Sequence, residues 1–171
     1  MFYVVGLGNP GEEYENSRHN TGRMAVEFFE KKSDISPKKL LVIHSNEFMN
    51  NSGRAVSKII KSKKAAQNLI VVHDDIDLPL GTLKVSYNKG SGGHKGLESV
   101  VRAVKTKEFV RIRIGISKTK KPQGEKAVID FILNKFKPAE LEIIKKVFKK
   151  TSEAIQALLV EGRDRAMNMF N

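Results

Sequence analysis

The chain contains no cysteine. That excludes disulfides, thiolate catalysis and thiolate-bound zinc, and it points to an intracellular, cytoplasmic protein. No apolar run approaches the roughly 20 residues needed to span a bilayer, so no membrane partner is expected. A basic leader is also missing: a strand-like segment begins at residue 2, and no signal peptide is expected. Acidic residues are scarce, 19 against 31 lysines and arginines. The resulting net charge of +12 favours polyanions, nucleic acid before anionic membrane. There is no internal repeat, low-complexity tract or interdomain linker. At 171 residues, 40% of them hydrophobic and 29% charged, the chain suits one globular domain spanning residues 1–171.

What is present is an alternation of strand and helix patterns. Phe2–Leu7, Leu40–His44 and Leu69–His73 are continuous apolar runs, as expected of strands buried on both faces. Leu83–Tyr87 and Val110–Ile116 complete the set. The last reads VRIRIGI and alternates, so one of its faces is expected to meet solvent or a polyanion. Helical patterns cover Thr21–Lys32, with Thr21 as a candidate cap, then Gly53–Lys63, Leu97–Val104 and Lys126–Phe136. The longest starts at Pro138 and carries a stripe through Leu141, Ile144, Phe148, Ile155, Leu158 and Leu159. Buried strands alternating with helices predict an α/β fold: a single three-layer α/β/α domain with a largely parallel, twisted mixed sheet. The loop Lys118–Gly124 (KTKKPQG) is the expected mobile segment, with Pro122 and Gly124 as hinges.

Chemistry-bearing residues concentrate in GLGNPGEEYENSRHNTG, Gly6–Gly22. Its first six residues satisfy G-x-G-x-x-G, but a dinucleotide site needs a helix opening at the loop and an acid closing the next strand. Pro10 interrupts the first, and His44-Ser45-Asn46 stands where the second belongs. His19 sits in a polar loop just before a helix, and its ordinary pKa near 6.5 suits proton abstraction from water. Asp74, Asp75 and Asp77 follow a buried strand, where ligands bind in parallel sheets. A metal on His73, Asp74 and Asp77 is conceivable, but acids so placed more often cap turns or orient a base. Asp74, nearest the strand, is the candidate partner for an imidazole. Asn50 and Asn51 stand at the mouth of a helix, either as caps or with Asn50 turned into a cleft. Lys89–Ser99 is a glycine loop entering a helix, without the spacing of a nucleotide-phosphate loop.

No serine nucleophile presents itself. G-x-S-x-G is absent, and S-x-x-K from Ser36, Ser86 and Ser117 is chance in so lysine-rich a chain. A water activated by histidine remains. Arg111 and Arg113, with Lys84, Lys118, Lys120 and Lys121, form a candidate phosphate path beside it.

GLGNPG with RHNTG, then FMNNSGRAV, HDDIDLPLG, GSGGHKGLES, FVRIRIGI and the closing GRDRAMNMFN occur in the order of bacterial-type peptidyl-tRNA hydrolases. The chain resembles that family over nearly its whole length. The resemblance implies a single α/β fold acting as a monomer, without metal or cofactor. The reaction implied is hydrolysis of the ester between a peptide and the 3′ ribose of tRNA. It further implies that His19 is the general base for the attacking water, that Asp74 orients it, and that Asn9 belongs to the catalytic set. Asn9 and Asn50 match amide side chains that hold the peptide and help place the water or oxyanion. Asn20, Met49 and Tyr14 fall in the same substrate-binding surroundings. Lys84 and Arg113 match positions that grip tRNA phosphates, and the stretch around Lys118–Gly124 matches a gate.

Three positions depart from the family pattern. Lys95 stands where GGHNGL commonly has asparagine, a charged donor in place of a neutral donor–acceptor. His44-Ser45-Asn46-Glu47 replaces the usual entry to FMN, and the segment before Leu40 is short. A non-catalytic RNA-binding relative is the alternative reading, set against the presence of His19, Asp74 and Asn9.

Overall fold

A computed structural model describes every residue except Pro37 and Thr119. Pro37 falls in the shortened segment before Leu40, and Thr119 falls in the loop expected to be mobile, so both lie outside the described residues. Five strands form one sheet: β1 Phe2–Gly6, β2 Leu40–Val42, β3 Leu69–Pro79, β4 Leu83–Tyr87 and β5 Val110–Ser117. Their order is β2-β1-β3-β5-β4, parallel except for β4, which pairs antiparallel with β5. Among the described residues seven α-helices accompany them: α1 Thr21–Lys32, α2 Ser52–Ile59, α3 Lys63–Ala66, α4 Lys95–Val104, α5 Glu125–Leu133, α6 Pro138–Val160 and α7 Arg163–Phe170.

Strand periodicity divides the interior in two, because successive side chains point to opposite faces. Val4, Ile70, Val72, Ile112 and Ile114 pack with residues of α1 and α6. Val5, Leu69 and Val71 pack with residues of α2 and α4. The expected α/β architecture with a mostly parallel mixed sheet is what the chain forms. Two glycines bring the first connection tight against the sheet. A Cβ on Gly6 would lie 2.3 Å from the Gly22 carbonyl oxygen, and one on Gly22 would lie 2.1 Å from that of Val72. Only hydrogen fits at either place, so the start of α1 rests on β3 and the loop before it lies over the strand's end.

Several local expectations are corrected. β2 ends at Val42 and is half-buried, because it is an edge strand and not an interior one. β3 runs on through the three aspartates to Pro79, with an irregularity in its register after Asp75. Thr21 is the first residue of α1 and not its cap; its hydroxyl donates to the Arg18 carbonyl at 2.6 Å. Asn51 occupies the cap position of α2 but makes no capping bond. The polar face of β5 is covered: Arg111 is 1% exposed, donates to the Gly90 carbonyl at 2.8 Å, and stacks over Phe109. Burial draws its pKa down to about 10. Arg111 therefore does not lie open on the surface of that face, where Arg113 is partly open, but it lines the cavity beside His19. α7 was not anticipated; it starts after Gly162, whose φ of 85° breaks the long helix.

Candidate active site

The site gathers at the carboxyl ends of β1 and β3, where parallel strands leave their crevice. The loop after β1 brings Asn9, and a short 3-10 turn, Arg18–Asn20, brings His19. Asn9 and Asn20 lock the loop on itself. The Asn9 amide donates to Asn20 Oδ1 at 2.8 Å, and Asn20 Nδ2 donates to the Asn9 carbonyl at 2.9 Å. Asn9 Oδ1 accepts from the Met49 amide at 2.7 Å, which leaves Nδ2 as the free donor of that carboxamide.

His19 Nδ1 lies 2.9 Å from Asp74 Oδ2 and 3.1 Å from Oδ1. With the carboxylate as acceptor, Nδ1 carries the proton and Nε2 keeps its lone pair. A second imidazole meets the same carboxylate: His94 Nε2 is 2.9 Å from Asp74 Oδ1. His94 caps α4, its Nδ1 accepting from the Leu97 amide at 3.3 Å, so the proton must sit on Nε2 and point at Asp74. His73 donates from Nδ1 to the Asp74 carbonyl at 2.7 Å.

The electrostatics follow from this packing. Burial pulls the His19 pKa down, yet the charge and hydrogen bond of Asp74 outweigh it and the net shift is upward. Burial alone would raise Asp74, but the two imidazoles hold it well below the usual carboxylate range. His73 is pushed down to about 3 by burial and by His94, so it is neutral at physiological pH.

His19 is shared by two cavities. One of about 500 Å³ is lined by Asn9, Met49, Asn50 and Lys95, with Phe48, Ile129 and Leu133 at its apolar rim. The other, about 230 Å³, is lined by Asp74, Asp75, His94 and Arg113 and by the Lys89–Gly93 loop.

The sequence candidates divide accordingly. His19, Asp74 and Asn9 come together, with Asn50 exposed at the cavity wall. Met49 and Asn20 are buried, at 5% and 4% exposure, and both hydrogen-bond Asn9, Met49 also lining the larger cavity. Tyr14 packs edge-on against Phe48, 6.3 Å between centroids, and lines neither cavity. Lys84 is exposed on β4 directly across from Arg113, which pairs with Asp75 at 2.7 Å. Lys95 lines both cavities and touches Glu98 at 3.5 Å. Asp77 pairs with Lys121, away from His73 and Asp74. His94 is the residue the sequence reading passed over. Its signal was a histidine one residue before a helix, at the close of a glycine loop.

Among the described residues, His19, Asp74 and His94 place ligand-type atoms within 4.8 Å of one another. In this structure the same atoms are joined at hydrogen-bond distance, one carboxylate serving two imidazoles.

A histidine–aspartate pair beside a free carboxamide donor, at the strand ends of an α/β sheet, can supply a base and a hydrogen-bond donor for ester hydrolysis. The sequence profile of the family described as peptidyl-tRNA hydrolase matches residues 3–171. The peptidyl-tRNA hydrolase of Thermodesulfovibrio yellowstonii is 38% identical over 192 residues, covering 100% of this chain and 99% of that protein. That of Pseudothermotoga lettingae is 40% identical over 185 residues, covering 100% and 97%. The crystal structure of peptidyl-tRNA hydrolase from Acinetobacter baumannii superposes with a TM-score of 0.84 at 30% identity, covering 100% of this chain and 94% of that one. The chain belongs to the peptidyl-tRNA hydrolase family and is a hydrolase of ester bonds that acts on peptidyl-tRNA.

Proposed function

We propose that His19 Nε2 removes a proton from water as the water attacks the ester carbonyl joining the peptide to the tRNA ribose. The observation that carries this reading is the Asp74 hydrogen bond to Nδ1, which supports the tautomer with a free Nε2 at the junction of both cavities. Asn9 Nδ2 stabilises the developing oxyanion. When the tetrahedral species collapses, the carbon–oxygen bond to the ribose breaks and the imidazolium returns its proton to the leaving oxygen. Asp74 stays ionised and stabilises the imidazolium. His94 holds the second carboxylate oxygen.

The larger cavity takes the acyl side, with Asn50 bonding the peptide amide and carbonyl groups and Phe48, Ile129 and Leu133 covering its apolar parts. The charged cavity and the Lys84–Arg113 pair take the tRNA side, where phosphate contacts release counterions. Asn20 and Met49 keep Asn9 in place, and Tyr14 supports Phe48 at the rim. Lys95 stands at the divide between the two sides. No metal or cofactor takes part in this scheme. Residues 1–171 act as one domain and as a monomer. The closed edge of β4, where Asn171 bonds both the amide and the carbonyl of Val85 at 2.9 and 2.8 Å, supports the monomer. No helix among the described residues is long and apolar enough to cross a membrane. The cytoplasm, where the substrate arises, is the proposed location.

The test is release of N-acetylamino acid from N-acetylaminoacyl-tRNA, with free aminoacyl-tRNA and the His19→Ala protein as controls. Release from the blocked substrate alone, lost in the variant, supports the scheme. Undiminished release by His19→Ala removes His19 from it. Salt-sensitive tRNA binding with no release at all would replace the scheme with RNA binding alone.

A further inference from the structure

Arg18 is the chain neighbour of His19, and almost everything it touches belongs to another part of the molecule. It is 6% exposed. Its Nη1 donates to the carbonyls of Phe131 and Asn134 at 3.2 Å each, acceptors at the C-terminal end of α5. Its Nη2 donates to both oxygens of Glu140 at 3.3 and 3.1 Å. The guanidinium lies 4.4 Å from the centre of the Phe131 ring. The backbone repeats the tie, since the Arg18 amide donates to the Asn134 carbonyl at 3.1 Å.

α5 needs such a tie. Among the described residues it buries no side chain completely, and Ile129 and Leu133 are 44% and 42% exposed. Yet it roofs the site: Ile132 lines both cavities beside His19. Its first turn has no side-chain cap and starts at Gly124, with φ 87°. One end of the roof is therefore pinned by polar bonds and the other is loose. Lys118, just before the loop that leads into α5, reaches the same carboxylate: its Nζ is 2.9 Å from Glu140 Oε1 with the lysine side chain 47% exposed. Glu140 thus joins the two ends of the segment, through a buried arginine at one and a half-open lysine at the other.

We infer that Arg18 is a positioning residue for the acyl side of the site: it pins the C-terminal end of α5 beside His19, while Lys118 holds the other end of the segment to the same Glu140 carboxylate. The inference rests on the proposed placement of the peptide in the larger cavity. Arg18 touches no reacting atom. Its effect reaches the substrate through α5, so it acts on acyl binding more than on proton transfer.

The experiment pairs kinetics on N-acetylaminoacyl-tRNA with hydrogen exchange of the α5 amides, in the wild type, Arg18→Lys, Arg18→Met and Lys118→Gln. Arg18→Lys keeps a charge but lacks the planar fork that serves two carbonyls and a carboxylate together. It should raise KM about tenfold or more, with kcat within threefold, and speed exchange at the C-terminal end of α5. The pH at half-maximal kcat should not move. Lys118→Gln, at a half-open position, should speed exchange at the Gly124 end alone, with a KM change of about threefold. Equal exchange in all proteins overturns the inference, as does a loss confined to kcat. If Arg18→Met does not fold, Arg18→Lys and Lys118→Gln still decide it. The exchange readout needs no substrate. A wild-type protein inactive on the ester would therefore count against the proposed chemistry, while the α5 result would stand or fall alone.

Discussion

The two sides of His19 are built from different materials. Toward Asn9 and Asn50 the wall consists of neutral carboxamides and exposed apolar side chains, with Lys95 the charged residue at its border. Toward Arg113 and the Lys89–Gly93 loop, ions of both signs, a glycine-rich backbone and a second imidazole join apolar residues such as Ile76 and Val128. A neutral, apolar wall binds a peptide whatever its charge, because amide bonds and area do not depend on side-chain sign. In the proposed scheme the basic groups of the charged wall meet phosphate, which would tie affinity to salt. In that scheme the one imidazole between the two walls acts on the bond that joins the halves of the substrate.

The comparison breaks most completely if its centre is removed. His19→Ala should lower kcat by about a thousandfold or more, with affinity for deacylated tRNA within twofold by filter binding. A parallel fall in tRNA affinity would show that the imidazole belongs to the charged wall. Asp74→Asn should lower kcat by about a hundredfold to ten-thousandfold, because an amide no longer holds the tautomer with a free Nε2. The pH profile sharpens this. As the proposed base, His19 would work only when neutral, and its pKa is raised, so kcat should climb with pH through a midpoint above the ordinary 6.5 and flatten beyond it. In Asp74→Asn the midpoint should fall, since the charge that raised it is gone.

Smaller effects distinguish the walls. Asn50→Ala should raise KM about tenfold for N-acetylaminoacyl-tRNA and leave the salt slope unchanged in a titration from low to physiological salt. Arg113→Ala should do the reverse: weaken binding roughly tenfold and reduce the slope of log affinity against log salt by about 0.7–0.9. An Asn50→Ala protein with altered salt slope would erase the distinction between the sides.

The apolar periodicity made the sheet and most helices legible, because burial on a strand or helix leaves a pattern within one segment. α1 starts and ends at the residues expected, and β4 does as well. The misreadings lie where a distant segment decides. Nothing in VRIRIGI says that a glycine loop folds over Arg111, and nothing in HDDIDLP says that β3 keeps pairing with β5 past the acids. Site candidates show the same split. His19, Asp74 and Asn9 stood out as polar residues in turn-rich stretches after strands. His94 did not, because its part depends on a helix cap and a carboxylate 20 residues earlier in the chain.

The position of His94 at the head of α4 has an engineering meaning. A carboxylate held only by a loop drifts with the loop, whereas this one is indexed to a rigid strut. Leu97, Val100 and Val104 bury that strut against the sheet, so a small repacking far down α4 becomes a small rotation of the imidazole at its head. Trimming Val100 to alanine, well away from any substrate, should therefore register as a change in the acidity of His19 before it registers as a loss of tRNA binding. The alignment of His19 would then follow the packing of the core, and thermal inactivation should track the loosening of α4 and not the motion of surface loops.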